Sequence, residues 1–422
     1  MRPHAIAFLL VACVSALPAQ NIRTKDVREI AKGGSNAIPR LAELLKNPSV
    51  DVRVEVVKQL TDIGTQRSLD PLIQATRDND PEVQIRATDG LINFYLPGYV
   101  QTGFGSSLKR VGTGIKGHFT DTNDQIIPGY VMVRPEVVAA LGALARSNSD
   151  FEARANAARA LGVLRAKAAV PDLIEAARSK NTDVIYESLI ALQKIRDESA
   201  GPRIAFLLHD FNPKVQIAAV ETTGLLQNKQ DLPNLVGVLN RARDIKVKRA
   251  ALTAIAMLPD ESSRGIYAQY LHDKDALMRA AAAEGYGRLR NPADVPMLEK
   301  AWPDEGKPQP RLSLAFALVM LGKTEISEFS PLQFLINNLD SSAYKGEALP
   351  FLIELARDKR VLQALYTPML NGTKDEKIGL ARVLARSGDK TSEAPLQKLS
   401  NDPDSDVAQQ GLSSLRTLQA RL

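Results

Sequence analysis

Residue types that most often carry chemistry are scarce in this sequence. Its 422 residues include one cysteine, Cys13, and four histidines. A single cysteine excludes an intramolecular disulfide, so the stability of the fold must come from packing. No His-x-x-x-His pair, Gly-x-Ser-x-Gly elbow, or Cys/His or Ser/His/Asp constellation occurs in the chain. The sequence therefore predicts no catalytic residue, no metal site and no cofactor.

Long apolar runs are also missing beyond the N-terminus, where no stretch approaches the roughly 18 residues of a membrane-spanning helix. The first 19 residues differ: Arg2 precedes an apolar run over residues 5–14, and small residues follow up to Ala19. This arrangement is typical of a signal peptide over residues 1–19, cleaved after Ala19 or Ala16. We therefore expect an exported protein, either periplasmic or secreted.

Two further expectations concern anchoring and charge. Leu10-Val11-Ala12-Cys13 resembles a bacterial lipobox, so a lipoprotein anchored through Cys13 is the alternative to a soluble exported chain. The formal net charge of +6 is mild for a chain of this length. It permits an acidic protein partner but does not indicate nucleic-acid binding.

Prolines recur along the chain at intervals of about 32 residues or about twice that, each near the start of a short apolar segment. They are Pro39, Pro71, Pro135, Pro171, Pro202, Pro233, Pro296, Pro331 and Pro395. Proline is tolerated in the first turn of a helix, because the amide there has no intrahelical acceptor, so these residues mark helix starts.

One repeat unit shows the local pattern. Val170, Leu173, Ile174 and Ala177 follow the i, i+3, i+4, i+7 spacing of an amphipathic helix, and Asn181 then caps a second helix. The second helices are apolar over a wide arc and must be covered on more than one side. The sequence predicts an all-α, right-handed α–α superhelix of about ten to eleven helix hairpins. We expect its open surface, rather than a pocket, to be the working part.

Segments such as Asp80-Pro81-Glu82-Val83-Gln84-Ile85-Arg86-Ala87 and Ser49-Val50-Asp51-Val52-Arg53 resemble HEAT repeats. The short period is similar to that of bacterial HEAT-like repeats, including those of phycobilin lyases. The resemblance covers residues 20–96, with an N-terminal cap, and residues 135–422, with a C-terminal cap. It implies a non-catalytic protein-binding scaffold; the alternative is a lyase-like protein or another enzyme accessory. A closed cavity with facing carboxylates beside the insert described next would favour that alternative.

Residues 97–134 interrupt the repeats with a segment rich in glycine and aromatic residues. Leu96-Pro97-Gly98-Tyr99-Val100 and Ile127-Pro128-Gly129-Tyr130-Val131 nearly copy each other and predict turns or short strands at its two ends. The insert is either a partner-binding loop or a decayed repeat. In the first case its contact residues are Tyr99, Phe104, Lys109, Arg110, Lys116, His118, Phe119 and Tyr130.

Basic residues recur early in the second helices, again at intervals close to multiples of 32. Those predicted to contact a partner are Arg86, Arg154, Lys248, Arg279 and Arg311, with Arg53 and Lys377 in the same register. Second helices usually line the concave side of a solenoid, where such residues form a basic stripe for an acidic partner. The alternative is a ladder of ion pairs with acidic residues in the turns of neighbouring repeats.

Overall fold

The computed structural model describes residues 22–99 and 125–422. Within these ranges the regular secondary structure is helical, without a strand. No helix of this part of the chain is long and apolar enough to cross a membrane. The predictions for residues 1–19, and for most of the insert, lie outside the described residues.

The α-helices are short and follow one another closely. In chain order they are α1 (Thr24–Ala31), α2 (Ile38–Leu44), α3 (Val50–Ile63), α4 (Leu69–Ala75), α5 (Pro81–Tyr95), α6 (Pro135–Ala145), α7 (Phe151–Val163), α8 (Val170–Ala176), α9 (Thr182–Ile195), α10 (Gly201–Ile204), α11 (Pro213–Leu225), α12 (Leu232–Arg241), α13 (Ile245–Ala256), α14 (Arg264–Tyr270), α15 (Ala276–Leu289), α16 (Val295–Asp304), α17 (Pro308–Met320), α18 (Pro331–Asn337), α19 (Lys345–Leu355), α20 (Lys359–Ala364), α21 (Tyr366–Asn371), α22 (Lys374–Ser387), α23 (Glu393–Leu399) and α24 (Ser405–Gln419).

These helices form eleven hairpins after the lone helix α1. The second helix of each hairpin packs against the second helix of the next, as α3 does on α5, α13 on α15 and α22 on α24. In the first nine hairpins, from α2/α3 to α18/α19, the even-numbered helix comes first and the odd-numbered helix second. In the tenth hairpin α20 and α21 together precede the second helix α22, and in the eleventh α23 precedes α24. The predicted all-α superhelical solenoid is confirmed.

Side-chain caps set the start of most second helices. The Asp80 carboxylate accepts hydrogen bonds from the backbone N–H groups of Glu82 and Val83, at 2.9 and 3.3 Å. Equivalent caps satisfy orphan amides of the first turn in seven more second helices. The capping residues are Asp150, Asn181, Asn212, Asp244, Asp275, Thr373 and Asp404.

The apolar core runs the length of the stack. One cluster of buried side chains extends from Val27 to Leu318, and a second extends from Leu312 to Leu418. Trp302 packs against both clusters and joins them. Each hairpin thus buries its apolar flanks against its neighbours, which a single hairpin could not do alone.

The repeats on either side of the insert pack directly against each other. Helix α5 packs directly on α7, and α4 on α6, across the insert. This packing favours a loop over a decayed repeat. The near-copied ends are turns, offset by one residue: the Tyr99 N–H donates to the Leu96 carbonyl at 3.1 Å, and the Val131 N–H to the Pro128 carbonyl at 3.0 Å.

Second helices approach each other closely where glycine faces alanine. A Cβ atom on Gly287 of α15 would lie 2.6 Å from the Cα of Ala317 on α17. A Cβ on Gly162 of α7 would lie 2.7 Å from the Cα of Ala191 on α9. Because backbone atoms line these contacts, neither helix can yield by moving a side chain alone. Glycine here sets the distance between repeats.

We expect Gly287→Ala to destabilise the protein by about 1–3 kcal/mol, because the new methyl group forces α15 and α17 apart. Gly265→Ala is the matched control, since a Cβ at this exposed helical position has nothing within 4 Å. It should be neutral or slightly stabilising. Thermal melting followed by circular dichroism measures both. Equal melting temperatures for the two variants would contradict the close-packing role of Gly287.

Candidate functional site

The solenoid encloses a cavity of about 1070 Å³ on its concave side. Every α-helix that lines it is the second helix of its pair. The contributing helices are α11, α13, α15, α17, α19, α22 and α24. The cavity is slightly larger than the roughly 300–1,000 Å³ of small-molecule sites. This cavity is partly open to solvent, and it forms a concave pocket within the surface that the repeat pattern predicts as the working part.

The end of the insert forms one wall of this cavity. Ile127 is 3% exposed, and its N–H donates to the carbonyl of Val163 at 3.0 Å. Gly129 lies opposite α24, where the Thr417 Cγ2 is 3.6 Å from the position of a Cβ on that glycine. The curvature of the stack therefore brings the last helix back to the insert.

A buried ion-pair network crosses the middle of the cavity wall. The Arg288 guanidinium of α15 donates two hydrogen bonds of 2.9 Å to the Glu354 carboxylate of α19, and one of 3.0 Å to Glu284. Its carbon Cζ also lies 4.8 Å from the ring centroid of Phe316 on α17. Burial opposes the charge of Arg288, but both carboxylates outweigh it and raise the guanidinium pKa. The network ties three successive second helices together.

Two other carboxyl groups in the cavity wall are half-buried and titrate abnormally. Burial raises the pKa of Glu221 on α11 to about 7. Burial, together with the negative charge of Glu284, raises the pKa of Glu347 on α19 to about 7. Each group lies close to half-protonation at neutral pH, which reduces the negative charge of the cavity wall.

Four arginines at the ends of second helices face the cavity, and we name them the arginine cluster. They are Arg165, Arg196, Arg290 and Arg357, which follow α7, α9, α15 and α19. Arg165, Arg290 and Arg357 have no carboxylate within ion-pair distance among the described residues. Desolvation in the cavity, then the positive charges of Arg165 and Arg357, lower the pKa of Arg196 to about 10.

Three members of the cluster hold a left-handed backbone. The φ angles are 47° at Arg165, 60° at Arg196 and 56° at Arg290, and the cavity-lining Gln227 is similar at 54°. Gly64 and Gly322 fill the same position at the ends of α3 and α17. Glycine adopts this conformation without steric cost, whereas an L-residue pays on the order of 1 kcal/mol.

The predicted contact residues of the insert are mostly outside the described residues. This holds for Phe104, Lys109, Arg110, Lys116, His118 and Phe119. Of the remaining two, Tyr99 is buried and Tyr130 is 38% exposed. Their role in partner binding stays a prediction.

The predicted basic residues early in the second helices are largely engaged with their own fold. The Arg279 guanidinium pairs with Glu305 of the next turn at 2.8 and 2.9 Å. Arg53 and Lys377 make equivalent pairs with Asp78 and Asp402. These three residues fit a ladder of ion pairs with acidic residues in the turns of neighbouring repeats, rather than a basic stripe that is free to bind a partner.

The other predicted basic residues differ from one another. Arg86 pairs with Glu82 on its own helix at 2.6 Å. Arg154 donates to the Ala145 carbonyl at 3.2 Å. Arg311 has its Cζ 5.2 Å from the ring centroid of Phe334, and Lys248 is half-buried without an ion-pair partner in the described part of the chain. None of these lies along the cavity, and their contact with a partner stays a prediction.

The sequence carried a weak signal for the arginine cluster. Arg165, Arg196, Gln227 and Arg290 are spaced by 31, 31 and 63 residues, the same interval as the helix-starting prolines. Each follows an apolar second helix, where glycine is the usual residue. No comparable signal marks Glu221 or Glu347. Among residues 22–99 and 125–422, no group of three metal-ligating side chains is assembled.

Comparison with known proteins places these features in context. A sequence model of HEAT repeats matches residues 9–95, 138–205 and 232–319, together more than half of the chain. No curated protein sequence matches this chain.

Several solved structures resemble parts of the solenoid. The CpcE–CpcF complex of phycocyanin lyase from Nostoc sp. is 17% identical, with a TM-score of 0.38 over 63% of this chain and 92% of that chain. YibA from Escherichia coli is 16% identical, with a TM-score of 0.41 over 69% and 94%. Human deoxyhypusine hydroxylase is 20% identical, with a TM-score of 0.28 over 67% and 96%. These similarities carry no functional information.

The two abnormal carboxyl groups predict how stability depends on pH. Their native pKa of about 7 exceeds the ordinary value of 4.5, so the folded chain binds protons more tightly than the unfolded chain between these values. The free energy of unfolding must then fall as pH rises through this window, by up to about 1.4 kcal/mol per pH unit for each group.

We expect Glu221→Gln and Glu347→Gln to raise the melting temperature above neutral pH and to flatten its decline between about pH 5 and pH 8. Glu328→Gln, at an exposed position, is the control and should leave the pH profile unchanged. Thermal melts across this pH range provide the measurement. A wild-type melting temperature that rises steadily with pH over the window would contradict burial of the two carboxyl groups.

Proposed function

The chain belongs to the family of HEAT-repeat proteins, and we propose that it is a non-catalytic scaffold of the cell envelope that binds a protein partner through its concave cavity. The observation that carries this proposal is the lining of the cavity. Seven second helices present one continuous inner surface, and a segment of another molecule that enters it would contact several repeats at once.

The charge of the lining supports a partner with acidic character. Nine arginines and lysines line the cavity against five glutamates, an excess of four positive charges. Protonation of Glu221 and Glu347 near neutral pH increases that excess. A concave, cationic wall concentrates field lines and attracts anionic groups.

The insert supports a second contact with the same partner. Ile126 and Gly129, at its described end, line the cavity. The C-terminal end of the insert therefore joins the stack beside the proposed binding surface. We propose that the insert contributes to partner binding through the residues named in the sequence analysis.

The proposed location rests on residues 1–19 alone. Their charge, apolar run and small residues support export to the periplasm or beyond, with anchoring through Cys13 as the alternative.

A second candidate function is that of an enzyme or enzyme accessory. The observation that favours it is the pair of carboxyl groups with pKa values near 7 in a cavity beside the insert, since such groups suit general acid–base catalysis. Coupling between Glu347 and Glu284 adds to this case. In the scaffold proposal these groups only reduce the negative charge of the wall.

For the location, we expect protein recovered from the cell envelope to begin at residue 20 or residue 17, as measured by N-terminal sequencing. A lipid-modified chain that begins at Cys13 and is released by Cys13→Ala would establish the anchored alternative. An intact N-terminus in the cytosolic fraction would contradict export.

For the partner, we expect chemical cross-linking of the tagged protein in its native cells to capture one defined protein. The double variant Arg165→Glu/Arg196→Glu should lose it, because two attractive charges in the cavity become repulsive. The control Lys180→Glu/Arg203→Glu makes the same net change at exposed positions outside the cavity lining and should retain it.

The same capture separates the alternatives. Replacing residues 100–124 by a Gly-Ser linker leaves both end turns and should reduce recovery if the insert binds the partner. Equal capture by the wild type and the cavity variant would refute the concave site. A captured partner whose covalent change disappears with Glu221→Gln or Glu347→Gln would establish the enzymatic function instead.

A further inference from the structure

The arginine cluster imposes three costs on the folded protein. Arg165, Arg196 and Arg290 hold a left-handed backbone that glycine adopts freely at Gly64 and Gly322. The side chains are concentrated in a partly desolvated cavity, and they lie close enough that Arg165 and Arg357 lower the pKa of Arg196. Strain of this kind persists where function requires it.

Three of the four cluster arginines are not neutralised by an ion pair within the described residues. Arg165, Arg290 and Arg357 have no carboxylate within ion-pair distance among residues 22–99 and 125–422. Elsewhere in the same cavity, Arg288 and Arg249 are neutralised by Glu354 and Asp275. Glu354 also attracts Arg290 and Arg357 at longer range, without forming an ion pair with either.

Helix dipoles explain only part of this placement. A cation at the C-terminus of a helix is stabilised by the last carbonyl groups, and Arg196 donates a long hydrogen bond of 3.4 Å to the Leu225 carbonyl. That effect would favour a cation on any side of the helix end. It does not account for four guanidinium groups that converge on one cavity from four different repeats.

The rest of the lining defines the class of ligand. Ile217, Leu225 and Met257 provide apolar surface along the helices next to the cluster, and Glu198 and Glu221 lie among the cationic groups. A nucleic-acid strand carries a phosphate on every nucleotide and needs a continuous cationic track, which these apolar residues and glutamates interrupt. A polypeptide with separated carboxylates and apolar side chains matches both features.

We infer that the arginine cluster binds the carboxylate side chains of an acidic, partly apolar polypeptide segment that enters the concave cavity. This inference rests on the proposed scaffold function and specifies the chemistry of the bound partner. Each guanidinium presents a planar fork of N–H donors that engages a carboxylate through two hydrogen bonds. Binding would also relieve the repulsion among the arginines.

The test uses the purified protein and a fluorescent peptide of repeated Glu-Leu-Glu-Glu units, with binding followed by fluorescence anisotropy. We expect saturable binding that weakens as NaCl is raised, and at least about tenfold weaker binding by Arg165→Gly/Arg196→Gly. The melting temperature of this variant should not fall, because glycine is free in the left-handed region. Loss of affinity without loss of stability distinguishes a binding role from a structural one.

Two control variants separate charge from backbone and shape. Gln227→Gly makes the same backbone change in the same cavity without removing a charge, and it should leave peptide affinity unchanged. Arg165→Lys/Arg196→Lys keeps the charge but loses the planar fork, so its affinity should lie between those of the wild type and the glycine variant.

Several outcomes would overturn the inference. They are absence of peptide binding by the wild type, equal affinity of the glycine variant, and equal binding of a peptide with Gln in place of Glu. Tighter, cluster-dependent binding of an oligothymidylate would assign the site to nucleic acid instead. Partner capture in cells is independent: capture without peptide binding rejects only this inference, and peptide binding without capture rejects only the scaffold function.

Discussion

Burial of apolar flanks between successive hairpins is the interaction on which the whole molecule depends. Without a disulfide, the stack is held by side chains from each second helix packing against the next, and glycine–alanine contacts set how closely they approach. Gly287 and Gly162 allow backbone contact between neighbouring repeats, so the spacing of the repeats is set by backbone atoms rather than by adaptable side chains. Because these interfaces are rigid, a rotation between two hairpins is passed on to all the hairpins that follow.

The cavity follows from this regularity. The superhelix curves around its own axis because each interface rotates the next hairpin slightly, and the second helices stay on the inside. Repeated positions then converge in space although they are far apart in sequence. The ends of α7, α9, α15 and α19 converge on one cavity, which carries four arginines. The Arg288 network braces the same wall by joining α15 to α19.

The helical hairpins were predictable because their signals are local. Proline and capping Asp or Asn mark helix starts, as Pro135 does at the first residue of α6 and Asp80 does before α5. The cavity was not predictable, since closure depends on small rotations summed over many interfaces. The site residues were also not predictable from local patterns. Arg279 belongs to a clearly periodic set of basic residues, but it pairs with Glu305. Arg165 belongs to a less regular set, because glycine or glutamine occupies the equivalent position in other repeats. Raised pKa values at Glu221 and Glu347 depend on burial by distant repeats, which no local pattern encodes.

Gly129 approaches Thr417 across 288 residues of sequence, whereas most helix–helix contacts in the described part of the chain join neighbouring repeats. Even a direct van der Waals contact at this point would contribute only about 0.1–0.2 kcal/mol per atom pair, far less than the free-energy cost of closing so long a loop. The proximity of Gly129 and Thr417 is therefore a result of the superhelical curvature and does not hold the superhelix in place. The distance between the insert and α24 is set by the combined rigidity of all the interfaces between repeats. A small change in the rotation at any one interface displaces all the repeats beyond it, and the displacement grows with the number of those repeats. Such a change would therefore alter the distance between the insert and α24 at the cavity.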